Sequence, residues 1–165
     1  MCEALIKSLE VNKKEKGFTV LDVPSAQFIK ALATFFKEKN VITIPKYAPL
    51  VKTSRSNDCE PIDPDYVYYK AAAICRKLYL TKSHNLGVGS LRSMFSKKER
   101  RGSQPPRTFR SGGKLIRDLV TQLRGKEYIE NYGKNEEDAS NHGLYLTRTG
   151  RSQLDKIASG LMNKK

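Results

Sequence analysis

Metal ligands are scarce in this chain. It has two histidines, His84 and His142, and three widely spaced cysteines, Cys2, Cys59 and Cys75, with no CxxC pair. The usual structural zinc arrangements are therefore excluded, and the thiols read as reduced residues of an intracellular protein. The same shortage argues against catalysis. The histidines lie far apart, no carboxylate pair shares a helical face with either, and both read as exposed loop residues. Apolar runs are far shorter than a membrane span. MCEALIKSLEVNKKEKG carries charges where a leader would need an apolar segment. Acidic residues are also few, 17 Asp plus Glu against 31 Lys plus Arg, for a formal net charge of +14 in 165 residues. A surplus of that size favours a polyanionic partner, nucleic acid above all.

Nucleotide pockets are excluded by spacing. Gly87-Val88-Gly89 begins like a dinucleotide fingerprint, but Arg92 stands at the third glycine position. A phosphate-binding loop ending in Gly113-Lys114 would need glycine where Thr108 stands and a hydroxyl residue where Leu115 stands. Neither a cofactor nor a small-molecule substrate is implied.

What is present is one domain's worth of helical pattern. Residues 1–19 read as a polar extension and residues 20–162 as a single unit. In PSAQFIKALATFFKEKN, Phe28, Ile29, Leu32, Phe35 and Phe36 recur at helical spacing, and Asn40 ends the helix before a short extended piece, VITIP. Pro45, Pro49 and Pro61 punctuate an ordered connector. The next helix is expected to start with Asp63 as N-cap and Pro64 in its first position. Its stripe of Val67, Ala71, Ile74 and Leu78 would be buried, with Tyr66, Lys70, Arg76 and Lys77 more or less opposite. Further on, KLIRDLVTQLRG buries Leu115, Ile116, Leu119, Val120 and Leu123. EYIEN and GLYLT read as two strands, and Leu154, Ile157, Ala158 and Leu161 mark a last helix. The expected fold class is mainly α, a winged-helix-like helical domain with a small antiparallel β-hairpin as its wing.

Between the second and third long helices runs HNLGVGSLRSMFSKKERRGSQPPRTFRSGGK, residues 84–114. From Arg92 to Arg117 it and the following turn carry nine cations, Arg92, Lys97, Lys98, Arg100, Arg101, Arg107, Arg110, Lys114 and Arg117, against one acid, Glu99. Arginine forks onto phosphate and stacks on bases, and glycine lets the backbone approach phosphate closely. Leu86, Val88, Leu91, Met94, Phe95 and Phe109 are more apolar anchors than a linker keeps. The stretch reads as a tethered basic loop whose order depends on RNA, with Phe95 and Phe109 pinning it to the core.

DPDYVYYKAAAICRKLYL, LGVGSLRSMF, RTFRSGGKLIRDLVTQL, EYIE and LYLTRTGRSQLDKIA, in that order and spacing, resemble the nineteen-e family of small-subunit ribosomal proteins of eukaryotes and archaea. FIKALATFFK and IPKYAPLVKTS fit as well. The resemblance covers roughly residues 20–160. It implies a non-catalytic constituent of the small (40S) subunit head that binds small-subunit (18S-type) ribosomal RNA. It also implies neighbouring head proteins and pre-ribosomal assembly factors as partners, a role in maturation of the precursor RNA, and a cytoplasmic location reached through the nucleolus. Carried over residue by residue, it places Lys70 and Arg76 on an RNA-facing helix and Gly87 and Gly89 in its GVG turn. Arg100, Arg101, Gly102 and Pro105 fall in the basic loop, and Arg110 and Arg117 begin the next helix. Tyr47 and Tyr66 stand where such proteins usually carry tryptophan, so packing there is expected to be less filled. Asp118 replaces a frequent cation.

The rival reading is a winged-helix DNA-binding transcriptional regulator, which would set a basic wing against the backbone. Here Glu127, Glu130, Glu136, Glu137 and Asp138 surround Lys134, so residues 132–143 form an acidic wing that phosphate would repel. RNA is therefore expected to meet the central helix and the basic stretch instead.

Overall fold

Helical spacing becomes helix where it was expected. A computed structural model describes residues 17–81, 86–131 and 143–163. Within them lie α1 (Ser25–Glu38), α2 (Tyr66–Leu80), α3 (Val88–Met94), β1 (Lys97–Arg101), β2 (Gln104–Phe109), α4 (Gly113–Gly125), β3 (Ile129–Asn131), β4 (Leu144–Leu146) and α5 (Arg148–Met162). His84, His142 and the acidic wing up to residue 142 lie outside the described residues.

α1 packs on α2 and α5, α3 packs on α4, and the β3–β4 ladder closes against α2 and α4. Phe28, Leu32 and Phe36 of α1, the stripe Val67, Ala71, Ile74 and Leu78 of α2, and Ile116, Leu119 and Leu123 of α4 meet in one apolar cluster. Each such large side chain contributes roughly 1.5–3 kcal/mol on burial. At the chain's entry to the core Val20 is fully buried, and Ser159 Oγ donates to the Phe18 carbonyl at 3.1 Å.

Asn40 does end α1. Its φ of 48° is left-handed; its N–H reaches the Lys37 carbonyl at 3.3 Å, and the Val41 N–H reaches Phe36 at 3.1 Å. This paired closure satisfies two carbonyls a helix end leaves open. α4 ends the same way on Glu127, φ 60°, with Tyr128 N–H on Leu123 at 3.0 Å, which turns Tyr128 into the core. The VITIP piece forms no strand. Instead the Gln122 side-chain amide takes the place of a neighbouring strand, accepting from Thr43 N–H at 2.9 Å and donating to its carbonyl at 3.0 Å.

Two local expectations need correction. α2 starts at Tyr66, not at Pro64. Asp63 Oδ1 accepts the Asp65 N–H at 3.0 Å, so it stabilises the turn before the helix rather than capping it. The larger correction concerns the expected basic loop of residues 84–114, whose described part, residues 86–114, is not a loop. α3 occupies residues 88–94, and β1 and β2 pair antiparallel in a hairpin with Lys97 opposite Phe109 and Lys98 opposite Thr108. Its two-residue turn needs the left-handed φ of 64° at Gly102.

The order of elements is that of a winged helix. α2 is followed by Leu86, whose carbonyl accepts the Leu144 N–H at 3.1 Å and so bridges to β4; then come α3, α4 and the β3–β4 ladder. Hairpin β1–β2 is inserted between α3 and α4, where a helix-turn-helix has only its turn.

Candidate nucleic-acid interface

The inserted hairpin is solvated on both faces. Lys97, Lys98, Arg100, Arg101 and Arg107 are all exposed, and only Glu99 and Phe109 of the two strands are half-buried. β2 begins Gln104-Pro105-Pro106, and both prolines sit opposite Arg100, where the register shifts between Glu99 and Arg101. Proline has no N–H for a ladder, so a bulge is where it is tolerated. Glu99 stands opposite Arg107. Among the described residues, however, the one ion pair is Lys37 with Asp65 at 2.7 Å, so no described acid neutralises the hairpin cations.

Its base is anchored firmly. The Arg55 guanidinium lies over the Phe109 ring at 4.8 Å and that of Arg107 at 5.7 Å, while Lys97 Nζ donates to Asn57 Oδ1 at 3.1 Å. Ser54 bridges to Ser111, and Gly112 N–H donates to the Thr53 carbonyl at 2.8 Å. Arg92 is used here too. Its Nε donates to the Ser111 carbonyl at 3.0 Å, and its side chain packs so close to Gly113 that an added Cβ would sit 3.2 Å away. Arg110, next to this clasp, is exposed.

The cationic face of α2 is less open than its spacing suggests. Lys77 is exposed, but Lys70 and Arg76 are half-buried. Arg76 Nε is buried without a hydrogen-bond partner among the described residues. Lys70 Nζ lies 3.6 Å from the centre of the Phe95 ring, which packs against the core as expected. Burial pushes Lys70 down to about 8, while the ring face favours its charged form. From pH 8 up to the ordinary 10.5 the unfolded chain holds a proton that the folded chain has released. Stability carried by this group therefore rises with pH across that window, and the penalty is fully present below it. In a ¹³Cε titration the free protein should show Lys70 with a midpoint near 8, moving upward when RNA supplies phosphate; a midpoint at 10.5 would contradict the burial.

Lys114, Lys70 and Lys52 converge on a cavity of 130 Å³ between the connector and α4, bounded by Tyr47 and Tyr66. Tyr66 OH donates to the Ala48 carbonyl at 3.0 Å, and Tyr47 OH donates to Asp118. Burial, then that hydrogen bond, raise the Tyr47 phenol far above its usual range. The Lys114 ammonium sits 4.2 Å from the Tyr47 ring centre. Arg117 is exposed, with Nε turned back to the Gly113 carbonyl at 3.2 Å. Gly87 precedes α3 in extended conformation, and Gly89 is exposed on it with nothing within 4 Å of an added Cβ. Lys52 and Arg55 escaped the sequence reading because they lie among connector prolines. The basic run VKTSR was the available signal. Among the described residues no group of acids, histidines and cysteines could hold a metal, and no helix is long and apolar enough to cross a membrane.

Comparison with known proteins agrees over nearly the whole chain. Residues 19–164 match the family described as ribosomal protein S19e. The small ribosomal subunit protein eS19 of Argopecten irradians is 36% identical over 148 residues, covering 90% of this chain and 96% of the relative. That of Emericella nidulans is 37% identical over 86% of this chain and 90% of the relative. That of Oryza sativa subsp. japonica is 34% identical over 85% and 90%. With a winged-helix order, an inserted basic hairpin and end-to-end similarity all in hand, the chain belongs to the S19e family of ribosomal proteins.

Proposed function

We propose that this chain is a structural constituent of the small (40S) ribosomal subunit head and not an enzyme, and that it binds small-subunit ribosomal RNA through hairpin β1–β2. The carrying observation is the hairpin itself. A two-stranded ribbon solvated on both faces is marginal in water, and this one presents five cations that no acid of the described residues pairs with. A polyanion at its surface supplies the missing partner. Arg110, Lys114 and Arg117 extend the surface along the start of α4. Lys70, Arg76 and Lys77 add a second contact from α2, with Gly87 and Gly89 allowing close backbone approach. Arg92 serves mainly to hold the hairpin base in place.

On this reading residues 20–162 act as one RNA-binding unit. The chain works in the cytoplasm on ribosomes after passing through the nucleolus, takes part in maturation of the precursor RNA, and meets head proteins and assembly factors through its remaining surface. The acidic wing is proposed to face protein or solvent.

A DNA regulator would present α4 to a major groove. Here three polar side chains of α4 are tied up within the protein: Asp118 accepts from Tyr47, Gln122 pairs with Thr43, and Arg124 Nη2 donates to Asn131 Oδ1 at 2.5 Å. In competitive binding at about 150 mM salt, a small-subunit RNA fragment should be held against excess duplex DNA, and an unbiased duplex selection should enrich no sequence. With six phosphates contacted, affinity should fall about a thousandfold or more between 50 and 200 mM salt. Enrichment of one duplex sequence would overturn the RNA reading.

A further inference from the structure

The cavity between the connector and α4 is filled by no part of the described chain. Its walls are mostly apolar, with Tyr47, Tyr66, Val51 and Ile116 supplying rings and branched carbons. Its charges are all positive. Lys52 and Lys114 are exposed, Lys70 is half-buried, and no carboxylate lines the space. Asp118 reaches the wall only through the Tyr47 hydroxyl that donates to it.

An apolar side chain from a protein neighbour would satisfy the walls but leave the three lysines that line them without a counter-charge among the described residues. A nucleotide satisfies both, because its flat ring and its phosphate are joined in one unit. At 130 Å³ the space is slightly smaller than the roughly 150 Å³ void that accepts benzene, which is room for one six-membered ring. We propose that this cavity takes a single base of pyrimidine size turned out of the bound ribosomal RNA, with its phosphate held by Lys52 and Lys114. The assignment rests on the RNA-binding reading above and sharpens it. Turning out a base is least unfavourable where it is unpaired, and stacking on tyrosine tolerates any sequence. Lys70, its charge weakened by burial, regains a counter-charge when the nucleotide enters.

Small subunits carrying the full chain can be irradiated at 254 nm and the nucleotide-modified residues mapped by mass spectrometry. The expected result is an adduct on Tyr47 or Tyr66. It should drop about tenfold in subunits carrying Val51→Trp, whose indole fills the cavity, and persist with Val51→Ala. The wild-type map decides the matter even if Val51→Trp destabilises the fold. Adducts confined to the hairpin would overturn the cavity assignment and leave RNA binding standing, as would a cross-link from Tyr47 to a neighbouring protein. Absence of any nucleotide adduct on this chain would overturn the RNA reading itself.

Discussion

Replacing Arg100, Arg101, Arg107 and Arg110 together by glutamate should weaken binding to small-subunit RNA at least about a thousandfold at moderate salt. The salt slope should become shallower by about one for each phosphate that the variant no longer neutralises. All four side chains are exposed and none forms an ion pair with a described residue, so the fold loses little. Surface substitutions of this kind usually change stability by under about 0.5 kcal/mol each. Arg107 needs separate treatment, because it stands opposite Glu99 and near the Phe109 ring, and a glutamate there would place like charges across the hairpin. A companion variant with Arg107→Gln removes that repulsion. If it also loses RNA while its melt is unchanged, the effect lies in phosphate binding rather than in hairpin stability. Retention of near-normal affinity by both variants would move the interface off the hairpin.

The largest stability effect is expected at a glycine that carries no chemistry. A Cβ on Gly150 would lie 2.7 Å from the Tyr128 carbonyl oxygen and 3.1 Å from Thr147 Oγ1. The first is backbone at the start of β3 and cannot swing away. The second is the cap of α5, which accepts the Gly150 N–H at 3.0 Å and donates to the Glu127 carbonyl at 2.6 Å. Gly150→Ala must therefore push α5 away from the α4–β3 corner or break its cap, at a cost of about 3 kcal/mol. In a chain of this size that lowers the melting temperature by roughly 6–12 °C. Gly160, in the same helix, has nothing within 4 Å of an added Cβ. Gly160→Ala should stabilise by about 1 kcal/mol through helix propensity alone. Equal melts for the two variants would refute the close approach at the corner.

Elements that bury one face were legible in the sequence because burial writes a period into it. Phe28, Leu32 and Phe36 announce α1, and Ile116, Leu119 and Leu123 announce α4, since each faces the same core. Hairpin β1–β2 buries neither face, so LysLysGluArgArg and GlnProProArgThrPhe carry no alternation to read. Only Gly102 at its turn hinted at a fold-back. Helical spacing also placed Lys70 on an open face, and it could not show that Phe95, 25 positions later, would cover it. Arg92 counted as one more cation, although its role depends on Ser111 arriving beside it. The Gln122 pairing with Thr43 was similarly invisible, because it joins a helix to a segment 79 residues away.

The central claim is membership of the small subunit by way of RNA. Sucrose-gradient sedimentation of lysate containing the tagged full chain tests it most directly, at low salt and again at about 0.5 M, where contacts with few phosphates are released. The expected result is co-migration with the small subunit under both conditions, in one-to-one ratio with its other proteins, and its disappearance from that fraction for the four-arginine variant. Recovery of the wild-type chain only at the top of the gradient, or equal incorporation of the variant, would contradict the account.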